Sequence, residues 1–340
     1  MRARILLAFT LLLIVGYSLF WFQLAKKVEK NTLDWIVNSE SRLNGTKFYV
    51  NDLSLSGFPY KIVIKASSLT ASIPSGRFST DPLLISIPEV AVVFQPWKPN
   101  HAIIIADYFN VELSLFNEQK ANMAFDKVKS SIILDPVTNH LNNLSIVAES
   151  ISWYYGDEIK INESPAVEDV EFHLRRSILL QNDYDLPVNS SVFFKASNLK
   201  INELSSTAFG VDENELRIDA QLHANKHPEY NVVELSKWRD EGGTISIRKF
   251  EYVTKDLVLS LTGDVTLDEE LKPLGAFNAN ILSDGNLLNN LPKGLMNLQP
   301  KDPIPPGQTA NQGVSLSIRM QNGGLYLGPL MLMELWSVVK

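Results

Sequence analysis

The 340-residue sequence has no cysteine, which excludes disulfides, thiolate nucleophiles, thiolate-held zinc and cysteine-ligated iron–sulfur clusters. It is also short of positive charge where a nucleic-acid binder needs it. Residues 1–30 carry Arg2, Arg4, Lys26, Lys27 and Lys30 against Glu29, so the other 310 residues hold 26 basic and 37 acidic side chains, a net charge of −11. Such a body repels a phosphate backbone, and nucleic acid is excluded as a partner.

The motifs of common catalysts are missing as well. There is no Gly-x-Ser-x-Gly elbow, phosphate-binding glycine loop, His-Glu-x-x-His or EF-hand loop. His101, His140 and His173 stand alone in the sequence. His223 and His227 have the spacing of a helical metal clamp, but Pro228 and a strand ending at Leu222 place them in a loop. The acidic run Asp264, Asp268, Glu269 and Glu270 reads as solvated carboxylates at turn edges. Trp97, Trp153 and Trp238 have faces that could stack on a sugar, although packing or interface placement suits each better. No catalytic residue, metal ligand or cofactor site is nominated, and an enzyme is not expected.

What the chain does have begins at its amino terminus. Ile5 to Leu24 is a run of twenty residues without a charge. As a helix rising about 1.5 Å per residue it spans roughly the 30 Å hydrocarbon core of a bilayer. Tyr17 and Trp21 fall near its carboxyl end, where interfacial aromatics belong, and Lys26 and Lys27 close it. The short Met-Arg-Ala-Arg start can stay inside while a long domain is translocated, so the expected topology is amino terminus in, body out. A cleaved signal peptide competes with this anchor: Gly16 and Ser18 form a small-x-small site, but Leu19, Phe20, Trp21 and Phe22 continue the apolar run. The reading adopted is a transmembrane anchor over residues 1–26, a juxtamembrane helix over 27–45 and a β-rich body over 46–340.

Beyond Gly45 the dominant period is two. Val314, Leu316, Ile318 and Met320 face one way, and Ser315, Ser317 and Arg319 the other. The same alternation marks Leu53–Ser56, Ile245–Arg248, Leu257–Leu261 and Val265–Leu267. Val90–Phe94 and Ala102–Ala106 are apolar throughout, as expected of more deeply buried strands. Turn signals occur at Ser56-Gly57, Asn100, Asp135-Pro136, Gly263-Asp264 and Asn322-Gly323-Gly324, among others. Helical spacing of Val232, Leu235 and Trp238 predicts a helix over 228–241, stopped by Gly242-Gly243. A weaker helical pattern starts at Asn286, and a proline-rich loop over about 299–313 is expected to be mobile.

The predicted fold class is mainly β with few helices: an N-terminal transmembrane helix followed by an antiparallel meander curled into a sandwich or an open groove. Few short helices cannot cover the apolar faces of a dozen strands, so the sheet is expected to fold on itself.

Several stretches resemble a known family. Trp238-Arg-Asp-Glu-Gly242-Gly243-Thr-Ile245, Leu257 to Asp268, Pro273-Leu-Gly275, Ser56-Gly57-Phe58-Pro59 and Gly323-Gly-Leu-Tyr-Leu-Gly328-Pro329 are similar to conserved segments of domain of unknown function 2125. The resemblance implies an inner-membrane, single-pass protein with its body in the periplasm of a bacterium with two membranes. More distantly, the architecture is similar to the AsmA-like envelope proteins, whose one-sided sheets curl around an apolar groove for lipids. Two functions fit. The first is lipid handling in the cell envelope, with phospholipid or a lipopolysaccharide precursor against a groove formed by Ile62, Ile64, Ile245, Ile247, Leu259, Leu261, Leu316 and Ile318. The second is a non-enzymatic scaffold that meets an envelope protein partner.

Overall fold

The computed structural model describes residues 2–43, 45–74, 81–114, 120–155, 167–176, 186–200, 213–255, 257–283 and 312–339. The pattern beginning at Asn286 and most of the proline-rich stretch lie outside them. The described part is mainly β, with three helices and sixteen strands, and divides into two compact units.

Unit 1 comprises Met1–Leu141 and Ile146–Pro165. It opens with helix α1 (Arg2–Val37), a four-residue α2 (Ser39–Arg42) and strands β1 (Lys47–Tyr49) and β2 (Asp52–Ser56). Five long strands follow: β3 (Ile62–Ile73), β4 (Leu83–Gln95), β5 (Lys98–Ser114), β6 (Lys120–Leu134) and β7 (Leu141–Tyr155). The ladder order is β1-β3-β4-β5-β6-β7, with β2 also paired to β3. The predicted boundary between anchor and juxtamembrane helix does not break the backbone, because Lys26, Lys27 and Lys30 are good helix formers. The helix runs to Val37 and stops for good near Gly45, whose φ is +91°.

The second half of α1 lies along the sheet. Trp21 and Ala25 are buried against Ile62, with Leu24, Val28, Leu55 and Phe94 packed around them. Further up, Trp35 meets Phe48 with ring centroids 5.0 Å apart. Strand β1 pairs with the far end of β3 (Phe48 opposite Ala71), so helix and strand run side by side. A second cluster, Ala66, Val90 and Ala106, fills the middle of the sheet. In the segments that are apolar on both faces, Val90 and Ala106 are buried as expected, whereas Ile103 is 40% exposed. Asn100, read as a turn, lies inside β5, where its amide donates to the Leu134 carbonyl; the turn itself falls at Pro96-Trp97. Asp135 does turn the chain, its carboxylate accepting from the backbone N–H groups of Val137 and Thr138.

Unit 2 comprises Asn142–Ser145 and Ala166–Lys340. Its strands are β8 (Val167–Arg176), β9 (Val188–Ser197), β10 (Glu215–His223), β11 (Thr244–Val253), β12 (Leu257–Leu267), β13 (Pro273–Ser283), β14 (Gln312–Gln321), β15 (Gly324–Leu327) and β16 (Leu330–Glu334). They pair in chain order, every described pairing antiparallel. Helix α3 (Val232–Asp240) starts later than its spacing suggests because Asn231 is extended and accepts from the Glu234 N–H as an N-cap. Val232 is consequently 49% exposed, and Leu235 and Trp238 carry the packing.

The meander is present in both units, but each forms a single open ladder rather than two facing sheets. The sandwich branch of the expectation is not realised, and many apolar side chains stay partly rather than fully buried.

Candidate functional site

The cross-strand register of unit 2 sorts its side chains by chemistry. Directly paired residues on antiparallel strands project from the same face. One row reads Phe172, Phe194, Ile218, Phe250, Leu261, Ala279, Leu316. The next reads Leu174, Val192, Ala220, Ile247, Gly263, Phe277, Ile318, Leu327. At about 4.8 Å between strands, eight strands carry this row some 34 Å along the ladder. Shorter rows on either side, Ala196-Leu216-Tyr252-Leu259-Ile281 and Leu222-Ile245-Val265-Gly275-Met320-Leu325, extend the same apolar face.

The other face is mostly polar in the same register, apart from Phe193 and the row Val253-Val258-Leu282. It carries Glu171, Lys195, Arg217, Glu251, Ser260, Asn280 and Ser315 in one row. A parallel row holds Arg175, Ser191, Gln221, Ser246, Asp264, Ala276, Arg319 and Tyr326. Its ion pairs, such as Lys195–Glu171 at 3.9 Å and Lys249–Glu251 at 2.9 Å, are solvated and contribute little to stability.

Two local devices keep the faces in phase. On β11 the alternation would put Lys249 in the apolar row, but a bulge lets Phe250, not Lys249, stand opposite Leu261. On β12 the Gly263-Asp264 pair, read as a turn, is strand interior. A Cβ on Gly263 would lie 2.7 Å from the ring of Phe277, which therefore lies across the glycine, and Asp264 accepts from the Ser246 hydroxyl on the polar face.

Of the eight residues named from the sequence, Ile245, Ile247, Leu259, Leu261, Leu316 and Ile318 share the apolar face of unit 2. Leu316 is buried with Ala279, while Leu261 and Ile318 pack beside them half-buried. Ile245 is drawn under the Trp238 cluster with Leu222, Leu267 and Leu271, which closes one end of the face. Trp238 is thus packing, its indole N–H donating to the His223 carbonyl at 2.9 Å, whereas Trp97 is 55% and Trp153 37% exposed. Ile62 and Ile64 belong to unit 1, where Ile62 is fully covered by α1. Residues missed in the sequence, above all Phe172, Phe194 and Ile218, are found only through register.

An open depression of about 330 Å³ at one end of β11–β14 combines Val265, Leu274 and Met320 with Asp264 and Arg319. The polar candidates are engaged locally. His223 donates from Nδ1 to the Leu186 carbonyl and His227 to the Asn189 side chain. Burial, with Arg176 nearby, holds the His227 pKa below its usual value. Asp268 accepts from the N–H groups of Glu270 and Lys272, which makes Asp268 to Lys272 a hairpin turn, with Asp264 in the strand before it. Among the described residues, no three His, Asp or Glu side chains gather as a metal-binding group.

In unit 1, α1 is long and apolar enough to cross a membrane, a test that a signal sequence also passes. No curated protein and no solved structure matches the chain. A family model, described as uncharacterized protein conserved in bacteria (DUF2125), matches residues 21–335, nearly the whole length, and the chain belongs to that family.

Proposed function

We propose that this is a non-catalytic, single-pass protein of the bacterial inner membrane, its body in the periplasm, that holds the acyl chains of phospholipid or a lipopolysaccharide precursor against the open apolar face of unit 2. The observation that carries the reading is that face itself: parallel apolar rows, one of them continuous over eight strands, with side chains such as Ile247, Leu261 and Ile318 partly rather than fully buried. Apolar side chains left partly open to water along such a row favour a covering partner, and acyl chains need no directional partners. The packing of α1 supports retention of the helix as an anchor. Trp21 and Ala25 are buried on the body, and the Tyr17 hydroxyl donates to the Pro59 carbonyl.

The test is native mass spectrometry of the full chain. The wild type retains stoichiometric phospholipid or lipopolysaccharide precursor, and Ile247→Glu or Leu261→Glu releases it while the β spectrum is kept. A folded wild type without lipid overturns the reading. The full chain is needed because truncation at Lys27 would strip Trp21 and Ala25 from Ile62.

A second reading, an interaction module for an envelope protein, is favoured by β16. Its Leu330, Met331, Leu332 and Met333 are 44–55% exposed, and it ends the ladder among the described residues. Such an edge suits addition of a strand from a partner.

A further inference from the structure

The membrane-spanning run and the sheet overlap in a way that the sequence does not announce. The turn between β2 and β3, Gly57 to Lys61, docks on α1 within the apolar run Ile5–Leu24, not beyond it. The Tyr17 hydroxyl donates to the Pro59 carbonyl and the Trp21 indole to the Lys61 carbonyl. Phe58 stacks on Phe22 with centroids 5.6 Å apart and meets Trp21 edge-on at 5.4 Å. At about 1.5 Å per residue, Tyr17 sits some 10 Å below the Leu24 end of the run. A loop tied to Tyr17 is therefore held at the depth of acyl chains whenever α1 spans a bilayer.

Its chemistry suits that depth. Ser56 to Tyr60 carries no charge, Phe58 is 46% and Tyr60 74% exposed, and neither is covered by the body. Lys61, the first charge after this stretch, has its carbonyl on the Trp21 indole. The neighbouring turn at the same end of the ladder presents Trp97, 55% exposed, beyond the pairing of Ile62 with Phe94. Because the second half of α1 runs alongside β3, that end of the sheet points the way the membrane helix points. Interfacial aromatics on two adjacent loops, beside a spanning helix, fit a lipid bilayer as partner.

We infer that the Gly57–Tyr60 turn is inserted in the leaflet on the body's side of the membrane and, with Trp97, seats the end of the unit 1 sheet on the bilayer. The inference rests on the anchor proposed above but not on lipid binding by unit 2.

The cysteine-free sequence makes the test direct. The full chain carries one cysteine labelled with an environment-sensitive fluorophore, in place of Tyr60, of Ile14 in the apolar run, or of Tyr49 toward the far end of β3. Each variant is reconstituted in vesicles of phosphatidylethanolamine and phosphatidylglycerol containing doxyl-labelled phospholipid. Quenching at Tyr60→Cys close to that at Ile14→Cys, and at least threefold above that at Tyr49→Cys, is the expected result. Quenching at Tyr60→Cys no greater than at Tyr49→Cys, with Ile14→Cys strongly quenched, overturns the inference and leaves the anchor standing. Absence of quenching at Ile14→Cys as well overturns both.

Discussion

Replacing Leu261 by glutamate distinguishes an open apolar face from a dry core by magnitude alone. Leu261 is half-buried beside Ala279 and Leu316. Burying a whole leucine is worth about 1.5–3 kcal/mol, so losing half of that costs about 0.8–1.5 kcal/mol. The new carboxylate still reaches water over the open face and adds little, which puts the total at about 1–2 kcal/mol. In an interdigitated core an unpaired carboxylate would add several kcal/mol, and the cost would exceed about 4. Native-state hydrogen exchange on the full chain in mild detergent reads the difference at the amides of β12–β14. A loss of 1–2 kcal/mol appears as roughly 5- to 30-fold faster exchange, against about a thousandfold for a core site. Ser260→Glu, one residue along on the polar face, leaves exchange within about 0.5 kcal/mol. A thousandfold acceleration at Leu261→Glu, or equal effects at both positions, would refute the open-face account.

Three further outcomes follow from particular contacts. Gly57 has φ +108°, and a Cβ there would lie 2.6 Å from the Lys61 carbonyl; Gly57→Ala is expected to loosen the turn by about 1–3 kcal/mol, seen as accelerated exchange of the Lys61 amide with β12–β14 unaffected. Trp238→Ala opens the cluster of Ala224, Leu267 and Leu271 and is expected to cost about 3–5 kcal/mol; unchanged exchange across α3 would contradict its role. His227 has a pKa held below its ordinary 6.5 by burial and by Arg176. The stability it contributes is full above pH 6.5 and lost as pH falls through the lowered folded value, so His227→Gln flattens that acid limb in a pH series of exchange rates.

Much of the fold is legible because period-two alternation is a local property. Val314–Met320, Ile245–Ile247 and Leu53–Leu55 read correctly as strands with one polar side. What escapes is whatever another strand decides. Gly263-Asp264 looks like a turn until Phe277 lies over the glycine and Ser246 meets the aspartate across the ladder. The phase of β11 beyond Ile247 depends on a bulge that no spacing rule announces. Asn100 resembles a turn residue, yet its amide satisfies Leu134 from within a strand. The same limit governs the candidate site. Six of the eight named positions share one face because alternation marks them, but Ile62 alternates just as well and ends up beneath Trp21, 41 positions away in the sequence. Phe172, Phe194 and Ile218 join the face only once register sets them in line with Leu261.

The central claim, that lipid lies on the apolar face of unit 2, is tested most directly by site-specific photocrosslinking in native membranes. The full chain carries p-benzoylphenylalanine at Leu261 or, on the opposite face, at Ser260, and lipid adducts are identified by mass spectrometry after irradiation. Adducts at Leu261 and none at Ser260 are the predicted result. Equal yields at both positions, or a protein adduct alone at Leu261, would contradict the account.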